Sequence, residues 1–159
     1  MPPIQTKDSN EAVLTESFQN RNTPTIVYIF SPDCSWCTRN LSNIKILLAQ
    51  TKDKYRFIGL SLDSKGLQEY IAQHQLDFSI YTNLTEDTAL AYKGGTPRTF
   101  VVSDDGVILK SWFGAYNGEN RKEVEDYFKI RLNDIGDDNN KKNCETCDQE
   151  ANNPKEVTK

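Results

Sequence analysis

The chain has 159 residues, 36% of them apolar and 26% charged, with a net charge of −4. That length suits one domain around a single core. The acidic balance and the want of a basic cluster exclude nucleic acid or an anionic membrane as the expected partner.

No stretch approaches the roughly 18 apolar residues of a membrane span. Met1-Pro2-Pro3-Ile4-Gln5-Thr6-Lys7 lacks the apolar core of a signal peptide, which leaves either a cytosolic protein or a mature domain. Residues 1–10 are polar and read as a flexible lead-in, and residues 11–135 as the folded domain. Residues 136–159 contain six acidic residues and four lysines with almost no aliphatic side chains. Such a tail cannot bury enough apolar surface to offset chain entropy and is expected to be disordered.

In chain order, Glu11 to Phe18 reads as a short helix or an extended arm. Thr25-Ile26-Val27-Tyr28-Ile29-Phe30 is a β-branched and aromatic run that fits a central strand covered on both faces. Ser31-Pro32-Asp33 breaks it. Cys37, Leu41, Ile44 and Leu48 then recur at helical spacing, with an expected end near Thr51. Tyr55 to Leu62 is a second buried strand, and Leu67 to His74 a short helix. Phe78–Tyr81 is a brief strand, followed by a helix from Glu86 to Tyr92.

Arg98–Val102 and Val107–Phe113 flank Asp104-Asp105-Gly106, a strong hairpin signal. Val124, Phe128, Leu132 and Ile135 predict a last helix from Gly118 to Ile135. Strands alternating with helices and closed by a hairpin argue for an α/β fold, a mixed central sheet flanked by helices.

Four cysteines fall in two Cys-x-x-Cys pairs. The first, Cys34-Ser35-Trp36-Cys37, sits where the strand gives way to the helix. Unpaired N–H groups at the helix tip favour a Cys34 thiolate, while Asp33 opposes it by like-charge repulsion. Cys37 opens the buried stripe and can resolve a mixed disulfide formed at Cys34. Trp36, between them, offers a flat contact to a partner. These features point to disulfide exchange. A zinc site would need Cys144 and Cys147 folded back across the helix tip, since His74 is the single histidine and lies on its own helix.

The second pair, Cys144-Glu145-Thr146-Cys147, lies in the polar tail. It reads as a secondary redox pair or as thiols without an essential role.

The run TIVYIFSPDCSWC, the segment Gly95-Thr96-Pro97-Arg98-Thr99-Phe100 and the hairpin around Gly106 leading to Phe113-Gly114-Ala115 resemble the thioredoxin superfamily. They are most similar to its TlpA/ResA-type thiol–disulfide oxidoreductases. Cys37 and Pro97 are sixty residues apart, and the stretch between them resembles the central insertion of that type.

The resemblance implies a thioredoxin-like fold, a cis Pro97 beside the cysteines and Thr96 as a backbone contact for a bound peptide. It also implies reduction of protein disulfides, a partner protein supplying electrons, no cofactor or metal, and a periplasmic or other extracytoplasmic location. The chain departs from the pattern at three places. Asp33 replaces the usual tryptophan, Tyr28 stands where thioredoxin has a buried aspartate, and Asn40 stands where many TlpA-type proteins have an acid. Asp33, Asp63 and Glu69 are the carboxylates left to substitute.

Two other functions compete. A thiol peroxidase would show Pro-x-x-x-Thr-x-x-Cys, but Ser31 and Val27 occupy those positions before Cys34. A non-enzymatic binding module or metallochaperone would use Pro97 and Trp36 as a docking surface.

Overall fold

The computed structural model describes residues 1–19 and 22–136. A five-stranded sheet is built around β3 (Thr25–Phe30), whose six residues are all buried. The order is β5-β4-β3-β6-β7. β4 (Arg56–Ser61) and β5 (Ser79–Tyr81) continue parallel on one side; β6 (Arg98–Val102) and β7 (Ile108–Phe113) run antiparallel on the other. The mixed sheet with helices against it is the expected fold class.

The two-residue period of β3 divides the core. Ile26, Tyr28 and Phe30 face a cluster formed with Cys37, Leu41, Ile44, Leu47, Tyr70 and Val124. These come from α1 (Ser35–Arg39), α2 (Leu41–Thr51), α3 (Leu67–His74) and α5 (Gly118–Phe128). Val27 and Ile29 face the other way, against Ile4, Phe18, Ile58, Leu60, Tyr92 and Val102. That side is covered by the N-terminal residues and by the segment around α4 (Glu86–Ala91), which Thr85 caps by accepting a hydrogen bond from Thr88 N.

Three expectations change. The first ten residues are not a loose lead-in: β1 (Ile4–Lys7) pairs antiparallel with β2 (Val13–Glu16), and Ile4 is fully buried. One large aliphatic side chain with a place in the core is enough to order a short polar segment. The helix after the cysteines is two helices that meet at Asn40.

The last helix stops at Phe128, not Ile135. Lys129 turns into the left-handed region at φ 57°, and residues 130–136 form an irregular strap. Ile130 and Leu132 pack against the core cluster, so their apolar character mimics a helical stripe that the backbone does not follow.

The strap is fastened at several points. Leu132 N donates to Glu125 Oε2 at 2.8 Å. Fully buried Asn43 of α2 accepts from Asn133 N at 2.7 Å and donates to Asn133 O at 3.1 Å. Arg39 donates to the carbonyl of Ile135. Residues 137–159, including Cys144 and Cys147 and the tail expected to be disordered, lie outside the described residues.

Candidate active site

The strand-to-helix corner forms because Ser31-Pro32-Asp33 cannot extend β3. Pro32 lacks an N–H, and Cys34 N instead donates to Ser31 O at 3.1 Å. Ser31 Oγ donates to Asp63 Oδ2 at 2.7 Å, tying the corner to the chain just beyond β4. Cys34 is the N-cap of α1 and is half-buried; its Sγ accepts from Cys37 N at 3.1 Å. Cys37 is fully buried. The two sulfurs are joined as a disulfide. Their unequal access is the asymmetry that two-step exchange needs, because only Cys34 is open to a partner sulfur.

Trp36, Thr96 and Pro97 come together. They line one cavity of about 250 Å³ with Phe113, Gly114, Ala115, Asn117 and Asn120. The Thr96–Pro97 peptide is cis. A second cavity of about 290 Å³ shares Thr96, Pro97, Phe113 and Gly114 and ends on Lys93 and Arg98. The two form a groove past the proline loop, with Phe113 at its middle and 67% exposed. The Arg39 guanidinium lies over the Trp36 indole at 3.9 Å from the ring centroid.

Beneath Cys37 the two missing carboxylate positions turn out to be partners. Asn40 Nδ2 donates to Tyr28 Oη at 3.4 Å, and Tyr28 Oη donates to the Cys37 carbonyl at 3.5 Å. Asn40 Oδ1 accepts from Tyr116 N at 2.9 Å, and Tyr116 Oη shares a hydrogen bond of 2.6 Å with Thr99 Oγ1. Burial pushes the Tyr28 and Tyr116 phenols up, so both stay neutral through the physiological range. A neutral network therefore occupies the place of an acid.

The carboxylates proposed as substitutes, Asp33, Asp63 and Glu69, are all exposed, and Asp63 is engaged by Ser31. His74 lies against Tyr70, with ring centroids 4.6 Å apart. Among the described residues no cluster of three His, Cys, Asp or Glu side chains could hold a metal ion.

The sequence reading passed over Asn43, Tyr116, Phe113, Arg39 and Lys93. A signal existed for the first: Asn40 and Asn43 are polar residues on the buried side of an amphipathic stripe, where a polar side chain must have internal partners. Arg39 stands at the end of α1, and Phe113, Tyr116 and Lys93 reach the site only through the tertiary fold, which leaves no local signature.

The AhpC/TSA family model matches residues 1–111. The chain belongs to the AhpC/TSA family. Among solved structures, this family member is similar to a candidate thiol:disulfide interchange protein DsbE from Chlorobium tepidum, with 18% identity, TM-score 0.62, and coverage of 80% of this chain and 90% of that one. It is also similar to StoA from Bacillus subtilis, with 17% identity, TM-score 0.54, and coverage of 72% and 89%. A thiol:disulfide interchange protein from Bacteroides sp. gives 18% identity, TM-score 0.56, and coverage of 81% and 88%. A search of curated proteins found no match. At these identities the structures show the thioredoxin-like fold. Together with the Cys34–Cys37 disulfide, that fold suggests redox chemistry at this corner.

Proposed function

We propose that the protein is a thiol–disulfide oxidoreductase that reduces protein disulfides through Cys34 and Cys37. One observation carries the reading: a Cys34–Cys37 disulfide at a helix tip, with Cys34 half-buried beside a groove and Cys37 fully buried behind it. In the reduced enzyme the Cys34 thiolate attacks one sulfur of a substrate disulfide, and the other substrate sulfur leaves as a thiolate. Cys37 gives up its proton and attacks Cys34 Sγ, closing the Cys34–Cys37 bond and releasing the second substrate thiol. Two electrons pass to the substrate, and a partner dithiol restores them.

Trp36, Thr96 and Pro97 line the groove where the substrate chain would lie. Direction follows from thiolate stability, since a pair whose reduced form is poorly stabilised gives its electrons away more readily. Here Asp33 stands beside Cys34, and the network behind Cys37 is neutral, which supports reductase over oxidase. The sixty-residue spacing from Cys37 to Pro97, filled by α2, β4, α3, β5 and α4, supports placement near the TlpA/ResA type and with it an extracytoplasmic setting.

Membership of the AhpC/TSA family keeps a thiol peroxidase as the second reading. The corner argues against it, since Ser31 and Val27 replace the threonine and proline expected before a peroxidatic cysteine. Stopped-flow oxidation of the reduced protein separates the two. A peptide disulfide should oxidise Cys34 and Cys37 far faster than equimolar hydrogen peroxide. A faster reaction with peroxide would overturn the assignment.

A further inference from the structure

We infer that the C-terminal Cys144–Cys147 pair is an internal redox partner that docks in the Thr96–Pro97 groove and exchanges disulfides with Cys34. The inference rests on the proposed function in one respect, that Cys34 is the exchanging thiol.

The first observation is where the described chain leads. After α5 the backbone does not continue outward. The strap 130–136 runs back along α2, held by Asn43 at Asn133 and by Arg39 at Ile135. At Gly136 it lies so close to Arg39 that an added Cβ would fall 2.8 Å from the guanidinium. That guanidinium is the one stacked on Trp36, the residue between the two active-site cysteines. Chain and active site are therefore joined through Gly136, Arg39 and Trp36.

Arg39 ends the helix that Cys34 caps, about 8 Å of rise away, so Gly136 at its guanidinium lies within roughly 20 Å of Cys34. Cys144 follows Gly136 by eight residues, a contour of roughly 26 Å, so the tail thiols can reach Cys34 without disturbing the strap.

The second observation is charge. The groove begins at Trp36 and ends on Lys93 and Arg98. Arg98 is 8% exposed and its Nε has no hydrogen-bond partner among the described residues. The tail places Glu145, Asp148 and Glu150 around and just after its cysteines. A segment entering from the Trp36 side would bring its thiols past Cys34 and its carboxylates toward the basic end.

The chemistry balances within the chain. With the core pair oxidised and the tail pair reduced, one tail thiolate attacks Cys34 Sγ. The Cys34–Cys37 bond breaks, and Cys37 leaves as a thiolate that takes up the proton released by the tail thiol. The second tail thiol then attacks the tail sulfur of the mixed disulfide, forming Cys144–Cys147 and freeing Cys34. Two electrons move from tail to core, and an external dithiol, the class of reductant already required, reloads the tail. Tethering puts the tail thiols at an effective concentration on the order of millimolar.

The test uses the full chain carrying Cys37→Ala and Cys147→Ala, which leaves Cys34 and Cys144 to trap the mixed disulfide. Dilute protein is equilibrated with a glutathione buffer, quenched with acid, digested, and the disulfide-linked peptides are identified by mass. The expected result is a Cys34–Cys144 link with an effective molarity of about a millimolar or more, unchanged on tenfold dilution and several-fold lower with Lys93→Glu added.

A Cys34–glutathione adduct without a Cys34–Cys144 link would overturn the relay while leaving Cys34 as the exchanging thiol. A link that disappears on dilution would also overturn it. Failure of Cys34 to form even the glutathione adduct would overturn both the relay and the proposed function.

Discussion

The two faces of the central sheet are built from the same strand but on different principles. Val27 and Ile29 look into a mostly aliphatic face filled by Ile4, Phe18, Ile58, Leu60 and Val102, with Tyr92 as the one polar-tipped member of the buried cluster, donating to Pro2 O at the margin. Tyr28, one residue away, looks into a face where Asn40, Asn43, Thr99 and Tyr116 are buried among aromatic and aliphatic side chains and joined by hydrogen bonds. Each buried polar group there costs desolvation that its partner must offset. The cysteines stand on the polar face. Both faces bury apolar area, but only the second also holds Cys37, the groove loop and the strap in fixed relation.

The largest effect separates chemistry from scaffold. Cys34→Ser should reduce peptide-disulfide turnover to the uncatalysed background while leaving the thermal unfolding of the reduced protein nearly unchanged. Retained turnover would move the exchanging thiol elsewhere.

On the apolar face, Leu60→Ala should cost about 2–5 kcal/mol in denaturant unfolding through lost burial and a residual cavity. Exchange kinetics of the folded fraction should stay as they were. A large kinetic change would mean that the faces are not independent.

On the polar face, Asn43→Ala removes hydrogen-bond partners from Asn133 and from Tyr116 O, and should cost about 2–3 kcal/mol. It should also release the strap, which amide exchange at residues 130–136 would report. Tyr28→Phe should be milder, with about 1 kcal/mol lost because both its hydrogen bonds are long.

A further effect is at alkaline pH. Tyr28 and Tyr116 have folded-state pKa values raised by burial above the ordinary value of about 10. Both phenols are protonated in folded and unfolded chains below that value, so they add no pH dependence there. Above it the unfolded chain releases protons that the folded one keeps. Stability should fall by up to about 1.4 kcal/mol per pH unit for each group. A flat stability profile from pH 9 to 11 would contradict their burial as neutral phenols.

Much of this was readable from residue patterns. The β-branched run into Cys34 and the Asp-Gly hairpin have local causes and stand where the patterns put them, and the stripe after Cys37 is helical to Thr51 but broken at Asn40. Trp36, Thr96 and Pro97 were singled out and share one cavity. The misreadings arose where tertiary contacts overrode local signals. Leu132 and Ile135 kept a helical period although Lys129 had already turned the chain. Ile4 drew a polar segment into a hairpin through one buried side chain. The pairing of Tyr28 with Asn40 was invisible because each looked, separately, like a lost carboxylate. Only the geometry shows that one replacement answers the other.

The most direct test of the redox assignment is the thiol state of Cys34 and Cys37 in the wild-type chain across glutathione buffers, read by mass after acid quenching and alkylation. The Cys34–Cys37 pair should pass between dithiol and disulfide in one two-electron transition, with Cys37→Ala accumulating a single glutathione adduct on Cys34. If no Cys34–Cys37 disulfide forms at any ratio, or if the adduct falls on Cys37's side of the corner in Cys34→Ala instead, the corner is not a disulfide-exchange centre of the kind described.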